Sequence, residues 1–170
     1  LYGVDIAKTA VRLAAKRVGG HGRFLVADVY DKLPFADQSV QVLLNSFAPR
    51  HAAEFARLLV PGGLLLVAAP APDHLQSLRA YFGLMGIQDA KEAFIKAQFA
   101  SLFALQNVEN LVIPLRLDNS GLLGLINMMP GVRHLSPEQW KAIYDTPQIE
   151  TTASFLVLQM QRVADERFTG

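Results

Sequence analysis

Leu1-Tyr2-Gly3-Val4-Asp5 opens the chain, and Ile6-Ala7-Lys8-Thr9-Ala10-Val11-Arg12-Leu13-Ala14-Ala15-Lys16-Arg17 follows it directly. The first stretch reads as a short buried strand ending in a carboxylate, and the second as an amphipathic helix. Val11, Ala14, Ala15 and Val18 recur at helical spacing, while Lys8, Arg12 and Lys16 mark another face. Gly19-Gly20 stops the helix, because a glycine there can supply the positive φ of a C-cap. A strand that presents an acid at its C-terminal tip and then feeds a helix is the unit of a doubly wound sheet. Such sheets bind ligands in the crevice beyond those tips.

The unit repeats. Phe24-Leu25-Val26-Ala27 is a second strand, ending at Asp28, and Val29 to Gln38 is a loop with Leu33-Pro34-Phe35 pinned over the sheet edge. Val40-Gln41-Val42-Leu43-Leu44 is a third strand ending at Asn45; Ser46 to Pro49 is a loop and Arg50 to Leu59 a helix. Pro61-Gly62-Gly63 turns tightly into Leu64-Leu65-Leu66-Val67-Ala68, a strand with almost no polar residue. A run apolar on both faces belongs to a parallel sheet covered by helices. The alternation predicts an α/β fold, a mostly parallel sheet with helices on both faces.

The second half is less regular. Helices are expected over Asp73 to Leu84, Ala90 to Ala97 and Leu122 to Met128. Two short strand pieces are expected between Phe103 and Leu117, broken by Pro114, with Leu111-Val112-Ile113 buried and Met128-Met129 an apolar plug. Ser136-Pro137-Glu138-Gln139 carries a capping-box pattern with proline at the first helical position. Ile149 to Arg162 reads as the last strand.

Composition narrows the function classes. A chain of 170 residues, 51% hydrophobic and 18% charged, suits one domain with one substantial core. No stretch long enough to cross a bilayer is free of charges and breakers, so no membrane partner is expected. No secretory signal pattern is present, which fits a cytoplasmic protein. The net charge of +1 excludes a nucleic-acid grip built on bulk charge and leaves room for a local basic patch. There is no cysteine, and the histidines at 21, 51, 74 and 134 have no ligand spacing, so no metal site is expected.

Asp5, Asp28 and Asn45 close successive strands, which lie about 4.8 Å apart in a parallel sheet, so they form a row on one rim. Asp5 can accept from both hydroxyls of a ribose and Asp28 from the exocyclic amine of a purine. Asn45 offers a donor and an acceptor near the reacting group. Each acid alone is equally a helix cap or a loop residue; the three in register favour a nucleoside slot. A nicotinamide dehydrogenase would use an acid in the same way, and a Gly-rich turn would distinguish it.

Several blocks carry a more specific resemblance: Gly3-Val4-Asp5-Ile6-Ala7-Lys8, Ala14-Ala15-Lys16-Arg17, Leu33-Pro34-Phe35-Ala36-Asp37, Phe47-Ala48-Pro49-Arg50, Glu54 to Gly63 and Ala69-Pro70-Ala71-Pro72-Asp73-His74-Leu75. Together they resemble class I S-adenosylmethionine-dependent methyltransferases. Within these they are similar to the 23S ribosomal RNA guanine-N1 methyltransferase family, which includes macrolide-resistance enzymes. The resemblance implies a Rossmann-like fold, S-adenosyl-L-methionine as cofactor and ribosomal RNA as partner. It implies that Asp5 binds the adenosyl ribose, Ile6 packs on the adenine, and Asp28 and Val29 meet the adenine edge. Asn45, Phe47, Ala48 and Pro49 would line the place where methyl donor and guanine meet, with Asn45, Phe47 and Pro49 the catalytic candidates. His74, which the residues alone suggest is a surface or capping group, would lie near the methionine end of the cofactor. Arg50, a cation at a helix start, would meet a substrate carboxylate or phosphate.

Members of that family usually begin with a zinc-binding module and a first strand with its Gly-rich turn, neither of which this sequence contains. Residues 1–170 are therefore expected to be a single partial catalytic domain of a longer protein, with helical insertions over 76–145 on the substrate side. Strands next to the missing central strand should carry unpaired edges. The alternatives are a methyltransferase of the same fold acting on a small molecule, and a cofactor-binding remnant or partner subunit without turnover. The sequence is also compatible with a homodimer.

Overall fold

A computed structural model describes residues 1–86, 90–129 and 131–163. The elements are β1 (Tyr2–Asp5), α1 (Lys8–Val18), β2 (Arg23–Val26), β3 (Val40–Ser46), α2 (Ala52–Leu58), β4 (Leu59–Pro70) and α3 (Gln76–Phe82). They continue with α4 (Lys91–Phe99), β5 (Phe103–Asp118), α5 (Asn119–Met128), α6 (Pro137–Asp145) and β6 (Gln148–Arg162).

The strands form two sheets. β1 and β2 pair in parallel, with Tyr2 opposite Arg23 and Asp5 opposite Val26. The other sheet has the order β3-β4-β6-β5. β6 runs against both of its neighbours. Arg162 meets Leu59 while Gln161 meets Gly62 on β4, and Val163 meets Leu102 just ahead of β5 while Gln161 meets Gln106 on it. The α/β class stands, with a larger sheet more mixed than the apolar runs suggested. Among the described residues, β1 and β3 each stand at an end of their strand order and pair on one side only. On β3 this leaves Val42 and Leu44 exposed.

The chain divides into two compact units. The first holds Leu1–Val67, Gln98–Asn107 and the chain from Gln159. Its buried side chains include Phe55, Leu58, Leu59, Leu65, Val67, Phe99, Phe103 and Met160. Phe99 stacks on Phe55 with ring centroids 6.1 Å apart and meets Phe103 edge-on at 5.4 Å. α1 contributes no fully buried residue, since a two-stranded sheet offers it little apolar surface to cover. Val11, Ala14 and Val18 are half-buried and Ala15 is exposed.

The second unit comprises Ala68–Ala97 and Val108–Leu158. Leu75, Leu78, Phe82, Leu122, Ile126, Ile143 and Ala153 form its core, with Trp140 and Leu135 packed against it. Its α6 begins as the sequence dictates: Ser136 Oγ accepts from the Gln139 amide, and Gln139 Oε1 accepts from the Ser136 amide.

Three expectations change. β4 runs from Leu59 straight through Pro61-Gly62-Gly63, so those residues kink a strand and do not separate it from α2. Gly62 has φ +73°, and a side chain at Gly63 would start 2.8 Å from the Val60 carbonyl. β5 is one strand that passes through Pro114; at the end of the strand order a missing N–H costs no ladder bond. For the same reason Leu111, Val112 and Ile113 are exposed, not buried, as is Met128.

Candidate functional site

In the first unit, the parallel register of β1 and β2 brings Asp5 and Asp28 to one end of the small sheet. Asp5 is paired with Val26, two positions before Asp28. Each carboxylate folds back on the chain: Asp5 Oδ1 accepts from the Ala7 amide at 2.7 Å and Asp28 Oδ1 from the Tyr30 amide at 3.0 Å. These are Asx turns that shape the loops after both strands. The capping role weighed for Asp5 is absent, since α1 takes Ala7 as N-cap without a side-chain bond. One carboxylate oxygen of each acid stays outside those turns. Ile6 is exposed and Val29 half-buried beside them.

Asn45 closes β3 with 5% of its surface exposed. Its Nδ2 donates to the Pro49 carbonyl at 2.9 Å, which folds Ser46 to Pro49 into a tight loop. Its Oδ1 is buried without a partner among the described residues. An unsatisfied buried acceptor costs about 1–3 kcal/mol, so this atom is a ready receiver for a ligand N–H. Phe47 sits in the same loop in a left-handed conformation, φ 52°, and is 59% exposed. An exposed aromatic on strained backbone is the pattern of a binding loop. Ala48 and Pro49 are exposed beside it. Arg50 is tied down: its Nε donates to Gln98 Oε1 at 3.0 Å, and Gln98 Nε2 donates to the Arg50 carbonyl at 2.9 Å. Gln98 thus occupies the Nε and the carbonyl of Arg50.

A clamp that sequence reading missed holds the loop after Asp28. Glu54, 6% exposed on α2, accepts from the Leu33 amide at 2.8 Å. Arg57 donates to the carbonyls of Leu33 at 3.0 Å and Phe35 at 2.8 Å, and pairs with Asp37 at 2.5 Å. Hydrogen bonding from Arg57 holds the Glu54 carboxyl below its usual range. Phe35 also meets Tyr2 edge-on at 5.3 Å, so the Leu33-Pro34-Phe35 segment is pinned against β1. The available signal was Glu54 and Arg57 three residues apart on a helix; their targets lie more than twenty residues upstream.

His74 belongs to the second unit. Its Nδ1 lies 2.9 Å from the Ser154 carbonyl, so that nitrogen carries the proton and Nε2 is left as an acceptor. The ring packs on Phe155 with centroids 4.8 Å apart. Burial, ahead of any charge effect, pushes its pKa down and keeps it neutral. Asp73 accepts from Ser154 Oγ at 3.0 Å, which locks the same turn to β6. His74 is half-buried and caps no helix: α3 starts from Leu75, at φ 53°, without a side-chain cap. Among the described residues, no three histidine or acidic side chains gather as a metal site.

The model of the family described as "Methyltransferase domain" matches residues 1–67. The 23S rRNA (guanine(748)-N(1))-methyltransferase of Streptomyces fradiae is 40% identical over 136 residues, 80% of this chain and 48% of that protein. A Micromonospora griseorubida protein named for 23S rRNA guanine-N1 methylation is 35% identical over 139 residues, 82% of this chain and 47% of its own length. The chain thus spans about half the length of the curated relatives it matches. The crystal structure of the Bacillus subtilis YcgJ protein superposes with a TM-score of 0.63 over 96% of this chain and 82% of that one, at 16% identity, a likeness of fold.

The first 67 residues thus match a methyltransferase-domain family, on a Rossmann-like α/β fold. Three of the relatives that the chain matches are named for 23S ribosomal RNA guanine-N1 methylation.

Proposed function

We propose that the chain is the catalytic part of an enzyme that methylates N1 of a guanine in 23S ribosomal RNA in the cytoplasm. In this reading it is one catalytic domain. The observation that carries the reading is the pairing of Asn45 and Phe47 in one loop, a buried unpartnered acceptor beside an exposed, strained aromatic ring. Guanine presents the matching chemistry, an N–H edge and a π face.

S-adenosyl-L-methionine supplies the methyl group, already activated on a sulfonium. The chain's own residues hold and align. The free oxygen of Asp5 takes the ribose hydroxyls, and that of Asp28 accepts from the adenine amine. Ile6 and Val29 cover the adenine with apolar surface. Asn45 Oδ1 accepts from the guanine 2-amino group, Phe47 stacks on the base, and Pro49 walls the loop, which together aim N1 at the methyl carbon. The bound cofactor would supply the methyl carbon to N1, and water would take the N1 proton.

The test is methyl transfer from labelled cofactor by the full-length protein, with 23S RNA and a metabolite pool offered in parallel. Label should appear in RNA as N1-methylguanine, which stops reverse transcription. Asn45→Ala should lower kcat by about 10–100-fold, the worth of an aligning hydrogen bond. Label in a small molecule, or cofactor binding without transfer to either pool, would overturn the reading.

A further inference from the structure

Helix α1 carries a charge pattern that no part of the methyl-transfer reading uses. Residues 1–23 hold five basic side chains and one acid, against eleven and fourteen in the rest of the chain. The near-neutral total of +1 therefore conceals a basic stretch. Lys8, Arg12, Lys16 and Arg17 lie on α1, Arg23 opens β2, and all five are exposed.

Lys8, Arg12 and Lys16 follow one another at four-residue steps, so they form one ridge that climbs about 6 Å per step. Val11, Ala14 and Val18 form a separate, half-buried face, and α1 packs against β1 and β2. The helix gains little from this order of charges. Like charges four residues apart repel each other. Lys8 stands in the first turn, where the helix dipole disfavours a cation and no acidic residue offsets it. Lys16 and Arg17, in the last turn, are the pair that the dipole favours. A ridge of like charge set against local electrostatics is complementary to an extended polyanion. Each cation can neutralise one phosphate along a strand and release the counterions held there.

We propose that the ridge of Lys8, Arg12 and Lys16, with Arg17 and Arg23 adding to the field, tracks the phosphodiester backbone of RNA, a placement that rests on RNA being the substrate. α1 belongs to the same unit as the loop of Asn45 and Phe47, so the strand is held on the unit that receives the base. Contacts to phosphate carry no sequence information. The ridge supplies affinity and register, and the choice of guanine stays with the loop.

Fluorescence anisotropy of a labelled 23S RNA fragment with the full-length protein, repeated over a range of salt concentrations, tests this. The triple variant Lys8→Gln, Arg12→Gln, Lys16→Gln should bind RNA about tenfold more weakly or worse. Its slope of log affinity against log salt should be flatter by about 2, the share of three phosphate contacts on a single strand. The charge-keeping set Lys8→Arg, Arg12→Lys, Lys16→Arg should retain both affinity and slope. Calorimetry with S-adenosylhomocysteine should give the same affinity for both sets, since neither touches the acids at the strand tips. Unchanged affinity and slope in the glutamine set overturn the proposal even where the unaltered protein methylates RNA. An unaltered protein that neither binds nor methylates RNA overturns the methyl-transfer reading along with it. Binding to phosphatidylserine vesicles that the glutamine set loses, with RNA binding unaffected, overturns it in favour of a membrane surface. If the triple variant does not fold, Arg12→Gln alone decides, with a slope flatter by about 0.7.

Discussion

Glu54 and Arg57 form a two-toothed ion pair on one turn of α2, with Nε donating to Oε2 at 2.8 Å and Nη2 to Oε1 at 2.6 Å. The pair is planar recognition inside a mostly buried site, and its remaining atoms hold the backbone of Leu33 and Phe35. Arg57→Ala leaves a buried carboxylate without its cation and should cost about 3 kcal/mol in urea unfolding. Glu54 titrates below its ordinary value in the fold, so its contribution is present above about pH 4.3 and is lost as pH falls through the depressed value. Arg57→Ala should therefore flatten the acid limb of the stability profile.

Asp5→Asn and Asp28→Asn separate shape from charge. An amide oxygen can still accept from Ala7 or Tyr30, so the Asx turns and the circular dichroism spectrum should be retained. The charge-assisted bond to a ribose or adenine is lost. Calorimetry should show S-adenosylhomocysteine binding about 10–100-fold weaker in each variant.

Phe47→Gly should be more stable than Phe47→Ala by about 1 kcal/mol in thermal unfolding. The contacts removed are the same, and only glycine adopts the left-handed backbone without strain. Both variants should lose RNA methylation, since both remove the ring. Equal stabilities would show that the loop relaxes once the ring is gone.

His74 predicts a response to mild acid. Its folded pKa lies below the ordinary value of about 6.5, so the unfolded chain takes the proton first. The neutral ring is fully accommodated above that value, and stability falls as pH drops from about 6.5 toward the depressed pKa. Urea midpoints compared at pH 7.5 and 5.5 should converge in His74→Gln, whose amide can still donate to the Ser154 carbonyl.

Local signals carried much of the structure. The helical spacing before Gly19 and the Ser136–Gln139 box each lie within a few residues, and both elements form where the pattern puts them. Asp5 ends β1, Asp28 lies two residues beyond β2 and Asn45 is one before the end of β3, close to where their apolar runs put them. β3 belongs to the other sheet, however, so the three do not line one row of paired strands as expected. Long-range chemistry was not legible. The Glu54–Leu33 bond and the His74–Ser154 contact join residues 21 and 80 positions apart, and no local pattern announces either. Leu111-Val112-Ile113 misled because an apolar run reports that a strand forms, while its place in the strand order decides whether it is covered.

The one-sided pairing of β1 and β3 bears on how the chain must be handled. Each presents a bare rank of amides and carbonyls, and on β3 exposed Val42 and Leu44 accompany it. Such a rank templates whatever extended peptide meets it first. Solubility and monodispersity are therefore set by how readily the bare edge of one copy stacks on that of another, and the outcome will vary with protein concentration.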